Sequence, residues 1–153
     1  MALSTSNLNT ILNENCVTKR YFIGTFPSCT IGRLPRKKAF AFITNTDHHN
    51  NSGTHWNAWF ARDGTVYFFD SFGRSPLHET FPHDYRDILL KFDTFKYFNR
   101  QIQSVDSFCC GYFCIHFIFN LSLGLDMQSF SMEYFKDTNK NDLIVMNIIK
   151  SLL

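Results

Sequence analysis

Five cysteines stand at positions 16, 29, 109, 110 and 114, and the last three cluster in Ser107-Phe108-Cys109-Cys110-Gly111-Tyr112-Phe113-Cys114. Metal binding would need paired ligands at a zinc spacing, and the chain has no C-x-x-C unit. A nucleophile fits better. The cluster sits where a loop runs into a long uncharged stretch, and a thiol on the first turn of a helix lies at its positive end, where thiolate is favoured. Gly111 beside it would let a substrate backbone come close. Cys114, one helical turn further in, reads as a core thiol. Between Cys109 and Cys110 the local chemistry does not choose.

A thiol nucleophile needs a base, and His55 lies in Ser52-Gly53-Thr54-His55-Trp56, where a loop enters a strand. His48, His49, His78, His83 and His116 are alternatives with less context around them. Thr54 to Ala61 and Thr65 to Phe69 are aromatic-rich runs on either side of Arg62-Asp63-Gly64, a strong hairpin signal. A turn at 63–64 sets His55 roughly opposite Asp70, which closes the second strand in Tyr67-Phe68-Phe69-Asp70. Gln103, on the approach to the cysteines, offers an amide that could donate to an oxyanion. Nucleophile, base, orienting acid and oxyanion donor are the set that acyl transfer requires. The residues alone therefore point to a cysteine hydrolase.

These groups must be positioned by a single domain spanning 1–153, since 153 residues leave no room for a second full core. The composition, 44% apolar and 18% charged, is globular, and eighteen phenylalanines promise an aromatic core. A formal charge of +2 is too small to argue nucleic-acid binding. An odd number of cysteines, with no secretory signal at Met1-Ala2-Leu3-Ser4, points to free thiols in a reducing compartment. Ser107 to Leu125 carries no charge, but Gly111, His116, Asn120, Ser122 and Gly124 interrupt it and no basic flank borders it. It reads as a buried helix starting near Ser107 or Phe108, with no membrane span.

Leu8, Ile11 and Leu12 share a helical face behind an N-cap at Ser4 or Ser6. Gly24 to Arg36, with its prolines and glycines, reads as irregular. Lys38 to Thr44 reads as a strand buried on both faces, and Asp47 to Gly53 as a polar loop. Ser71 to Pro76 forms a loop, Pro82 to Lys91 a helix and Phe95 to Gln103 another short strand. Gln128 to Lys136 and Asp142 to Leu153 close the chain as two amphipathic helices. Helices at both ends around a meander of strands make an α+β domain.

Three blocks, Gly53-Thr54-His55-Trp56, Tyr67-Phe68-Phe69-Asp70-Ser71-Phe72-Gly73 and Gln103-Ser104-Val105-Asp106-Ser107-Phe108-Cys109-Cys110-Gly111, resemble the active-site blocks of the adenovirus maturation proteases, the adenains. Their wider clan includes the SUMO- and ubiquitin-like-specific proteases and shares the order His, Asp or Glu, Gln, Cys. Tyr21 to Phe26 and Asn45-Thr46 also resemble the family's N-terminal part, so the similarity runs from the first helix through the cysteine helix. It implies a central mixed or antiparallel sheet flanked by helices, with the nucleophile at the N-terminus of a buried central helix. It also implies Cys110 as nucleophile, His55 as base or ion-pair partner, Asp70 as its orienter and Gln103 as oxyanion donor with the Cys110 backbone N–H. Trp56 would help wall the site.

The function implied is a cysteine endopeptidase of a virus or virus-like mobile element, cleaving capsid and core precursors during virion maturation. Its partners would be polypeptide substrates, extended strands with small residues near the scissile bond. It would act as a monomer in the virion and host cell interior, nucleus or cytoplasmic virus factory, without a membrane. No cofactor is required for the chemistry. The family is stimulated by a disulfide-linked peptide and by DNA. With Phe92 near the position of the linking cysteine and no Cys between 30 and 108, a disulfide-linked activator is not expected. DNA has only Arg33, Arg36, Lys37 and Lys38 in its favour. The alternatives are a SUMO- or ubiquitin-like-specific protease, for which the chain has little spare length, and a catalytically silent binding protein on the same fold.

Overall fold

A computed structural model describes residues 1–46 and 55–153. The expected polar loop from Asp47 to Gly53, with His48 and His49, lies outside the described residues, as does Thr54. Five strands form one mixed sheet in chain order: β1 (Phe22–Pro27), β2 (Ala39–Asn45), β3 (Trp56–Arg62), β4 (Thr65–Phe69) and β5 (Thr94–Tyr97). The three central strands are antiparallel, while β1 and β5 join them in parallel at the edges. The β3–β4 hairpin turns on Asp63 and Gly64, both at positive φ (51° and 83°), as a two-residue turn matched to strand twist requires.

Period-two alternation sends the side chains of β2, β3 and β4 into two separate cores. Phe40, Phe42, Trp59, Val66 and Phe68 face one side and are covered by Tyr85 and Ile88 of α2 (Asp84–Leu89). Ala41, Ile43, Ala58, Phe60 and Phe69 face the other, against α3 (Cys110–Ser122). That helix is buried almost all round, by the sheet, by Leu8 and Leu12 of α1 (Thr5–Glu14), and by Phe130 of α4 (Met127–Ser131) with Val145 and Ile149 of α5 (Thr138–Leu152). No helix among the described residues is long and apolar enough to cross a membrane. Ser4 caps α1 in a reciprocal capping box with Asn7.

Four expectations about the elements need correction, one being the helix expected from Gln128 to Lys136, which runs only from Met127 to Ser131. The Gly24–Arg36 segment is not wholly irregular, because Gly24 to Pro27 belongs to β1. Gly24, at φ 144°, lies beside the register shift between Phe22 and Thr25, so a glycine that reads as a strand breaker here marks a bulge. The strand expected from Phe95 to Gln103 ends at Tyr97, and residues 98–103 instead tie backbone to backbone onto the end of β4 and the turn after it. The uncharged helix begins at Cys110, two or three residues later than its composition indicates, because Ser104 to Cys109 is the loop that delivers Gln103 to the site.

Candidate active site

Cys110 is the first residue of α3, so its backbone N–H precedes the helical ladder and has no partner within the helix. It lines a cleft of about 350 Å³ together with His55, Gln103, Trp56 and Phe72. Cys109 is the N-cap, where burial and the carboxylate of Asp142 push its thiol pKa up. Cys114 is fully buried, its thiol on the Trp56 carbonyl (3.4 Å), and burial raises its pKa well above the ordinary range. Of the three clustered thiols, Cys110 is the one that reaches the cleft. A larger hollow of about 670 Å³ opens beside β5, lined by Leu77, Leu90 and Phe92 among others, but neither a cysteine nor a histidine lines it.

His55 Nε2 lies 2.5 Å from Asp70 Oδ1, and its ring stacks on Phe72 at 5.2 Å between centroids. With Nε2 engaged, Nδ1 is the nitrogen left for Cys110, which lines the same cleft as the ring. Burial pulls the His55 pKa down, but the hydrogen bonds and charges of Asp70 and Cys110 outweigh it and raise the pKa to about 9. Burial pushes Asp70 the other way, toward the neutral acid. His55 and Arg74 prevail and hold its pKa below the usual value.

Asp70 is fully buried and more heavily supported than the sequence indicates. Arg74 donates to Oδ2 from its backbone N–H (3.1 Å) and Nε (2.8 Å), and its guanidinium lies over Phe81 and Phe72. Asn57 Nδ2 donates to Oδ1 at 3.1 Å. The hairpin register explains this contact: Ala58 pairs with Phe69, so the next step outward brings Asn57 beside Asp70, and His55 approaches on the diagonal. The expectation that 55 and 70 stand opposite is therefore corrected by two residues, although the shared edge is as expected.

Behind Asn57 the donors run in one direction. Trp59 Nε1 donates to Thr44 Oγ1 (2.9 Å), and the Thr44 and Tyr85 hydroxyls are bonded (2.8 Å). Tyr85 then donates to Asn57 Oδ1 (2.6 Å), which leaves the Thr44 hydroxyl to donate to Tyr85. Asn57 can thus turn only its NH2 toward Asp70. A chain polarised in one direction strengthens each of its bonds.

Gln103, 2% exposed, is held at both ends of its amide. Nε2 donates to the Ser107 carbonyl at 3.0 Å, which can only accept, so the NH2 must lie at that end. Oε1 accepts from Ser71 Oγ at 2.5 Å, and the Ser71 carbonyl also accepts from the backbone N–H groups of Ile102 and Gln103. One Nε2 hydrogen remains beyond the Ser107 bond. The structure thus brings together His55, Asp70, Gln103 and Cys110 around one cleft. Asn57, Ser71 and Arg74, which support them, were not foreseen. Only the register for Asn57 and the adjacency to Asp70 for Ser71 could have signalled them.

His78 bonds Thr80 in the loop before α2. His116, another alternative base, is buried within α3 against Tyr134 and Asn120, and burial lowers its pKa to about 4. Among the described residues, no three His, Cys, Asp or Glu side chains are grouped so as to hold a metal ion.

No family model matches the chain. It is similar to adenovirus proteases. It is 31% identical over 109 residues to the protease of Bovine adenovirus 2, covering 64% of this chain and 53% of that one. It is 30% identical over 111 residues to the protease of Human adenovirus A serotype 12, covering 64% and 54%. The chain spans about half the length of these curated relatives. Among solved structures, the ASFV pS273R protease matches with a TM-score of 0.64 over 94% of this chain and 66% of that one at 16% identity, so the two share a fold.

Proposed function

We propose that this relative of the adenovirus proteases is a viral or virus-like-element cysteine endopeptidase that cleaves capsid and core precursor proteins. The observation that carries the reading is the placement of His55, with Nε2 on a buried carboxylate and its other face on Cys110. In this mechanism the His55 imidazolium donates to Asp70 from Nε2 and to the thiolate from Nδ1. The Cys110 sulfur attacks the scissile carbonyl carbon, and the carbonyl π pair moves to oxygen. That oxyanion accepts from the Cys110 backbone N–H and from Gln103 Nε2, donors that are in place before reaction. Collapse expels the amine, which takes the proton from His55. The neutral imidazole then activates a water to hydrolyse the thioester. Side chains carry this chemistry without a metal or organic cofactor, and the substrates are polypeptides.

The test needs no known substrate. Limiting iodoacetamide is applied between about pH 5 and 9, and label is mapped at each cysteine by mass spectrometry. Cys110 is expected to label faster than the exposed Cys16 and Cys29, and His55→Ala to slow it. On precursor-derived peptides, Cys110→Ala abolishes cleavage, while Cys109→Ser and Cys114→Ser retain most of it. Labelling of Cys110 no faster than Cys16, or a dead Cys109→Ser variant, overturns the assignment.

A further inference from the structure

The loop that carries Gln103 is held from behind by a helix that lies beyond the blocks resembling the adenains. Asn141 and Asp142, near the start of α5, grip the backbone on either side of Gln103. Asn141 Nδ2 donates to the Ile102 carbonyl at 3.1 Å, and Asp142 Oδ1 accepts from the Ser104 N–H at 3.3 Å. The Asn141 amide is itself fixed, because Oδ1 accepts from the Phe135 N–H (2.8 Å) while Nδ2 also donates to the Phe135 carbonyl (2.8 Å). The helix is a firm base for this grip, capped by Asp137 and anchored in the core by Val145 and Ile149. Asp142 is 8% exposed, and among the described residues no lysine, arginine or histidine forms an ion pair with it. A carboxylate so buried without a cation costs stability. The donor it takes in compensation lies one residue from the oxyanion donor.

We propose that Asp142 is a positioning residue: by holding the Ser104 N–H from α5 it fixes the loop between Gln103 and Cys110, and so aims the free Nε2 hydrogen of Gln103 at the oxyanion. The proposal rests on the protease reading in giving Gln103 that task, and it adds α5 to the machinery. Within the loop, Gln103 Nε2 donates to the Ser107 carbonyl, and the Ser107 N–H donates to the Ser104 carbonyl at 3.2 Å. Both bonds turn on Ser104, since a shift there carries with it the Ser107 carbonyl that orients Nε2. On the other side, Ser71 holds Gln103 through Oε1 and through the backbone. The amide is thus set between an anchor at the end of β4 and one on α5. Without Asp142 the Ser104 N–H loses its acceptor, the Ser107 carbonyl is free to drift, and Ser71 alone holds the amide.

The test compares wild type with Asp142→Ala, which loses the acceptor, and with Asp142→Asn, which keeps an acceptor oxygen. Each protein is titrated with a peptide aldehyde ending in glycinal and with the corresponding alcohol. Only the aldehyde lets the Cys110 thiol add across its C=O, sulfur to carbon and proton to oxygen, so only its oxygen reaches the oxyanion donors. The advantage of aldehyde over alcohol should fall about tenfold in Asp142→Ala, with alcohol binding unchanged, and should return to within about twofold of wild type in Asp142→Asn. Hydrogen–deuterium exchange across residues 103–109, read by mass spectrometry, should quicken in Asp142→Ala and not in Asp142→Asn. Circular dichroism checks folding, and Asp142→Leu, similar in size to the native side chain, takes the place of Asp142→Ala if that variant does not fold. A folded variant that keeps the wild-type advantage, or that weakens aldehyde and alcohol alike, overturns the proposal. If the wild-type chain gives the aldehyde no advantage and Cys110 resists iodoacetamide, the protease reading fails. The exchange comparison then decides the grip by itself: equal exchange in all variants overturns it, and faster exchange in Asp142→Ala alone upholds it.

Discussion

The His55–Asp70 pair gives a prediction whose size follows from the structure. In Asp70→Asn the shape is kept, but the buried negative charge facing the ring is lost. Burial then stands against the influence of Cys110 alone, and the His55 pKa falls from about 9 toward the ordinary 6.5. A difference between 6.5 and about 9, at about 1.4 kcal/mol per pH unit, corresponds to about 3 kcal/mol. Because the folded pKa is raised, this stabilisation is fully present below about pH 6.5 and is lost as the pH rises through about 9. Urea unfolding at about pH 6 and pH 10 should therefore show the wild-type advantage over Asp70→Asn shrinking by about 3 kcal/mol between the two. Groups that titrate alike in both proteins cancel in this comparison. The ring can also be followed directly by NMR, its resonance identified with His55→Gln. Cys110→Ala should lower its pKa less than Asp70→Asn does, since the Asp70 hydrogen bond is the largest of the raising influences. Titration of the wild-type ring near or below 6.5, or a ring that still titrates near 9 in Asp70→Asn, refutes the ion-pair argument.

Two further predictions concern the supports behind the site. Ser71→Ala frees Oε1 of Gln103 and unlocks the amide, so a peptide aldehyde, whose thiohemiacetal oxygen needs the oxyanion donors, should bind roughly tenfold more weakly, as expected for loss of one hydrogen bond. The fall in kcat/KM should be carried by kcat with KM little changed, and Ser71→Thr should restore part of it. A loss confined to KM would refute the positioning role. Tyr85→Phe strands the buried Oδ1 of Asn57 and the Thr44 hydroxyl, and should cost about 1–3 kcal/mol in urea unfolding. A neutral result would mean that Asn57 is satisfied without Tyr85.

What could be read in the chain and what could not divide along one physical line. The hairpin, the α+β arrangement and the buried cysteine helix are written locally, in Asp63-Gly64, in the alternation of β2 to β4 and in an uncharged run, so sequence pattern finds them. His55 and Asp70 were reachable because one tight turn joins their strands, and the two-residue error in their alignment came from assuming direct opposition where the register gives a diagonal. Gln103 and Cys110 were singled out as types, but nothing local chose Cys110 over Cys109. That choice depends on which thiol the start of α3 turns toward a strand some fifty residues earlier in the chain. Arg74, Asn57 and Ser71 lay below that horizon. Each acts through a hydrogen bond to a partner already counted, and an Arg, an Asn and a Ser in a strand or loop are ordinary where they stand. The Met1–Leu3 segment is the extreme case, because its carbonyls accept from Trp56 and Tyr112 and Leu3 packs over Gly111, contacts that span most of the described chain. Reactive groups declare themselves by chemical type. The residues that hold them in register with one another do so through geometry, which only the folded chain contains.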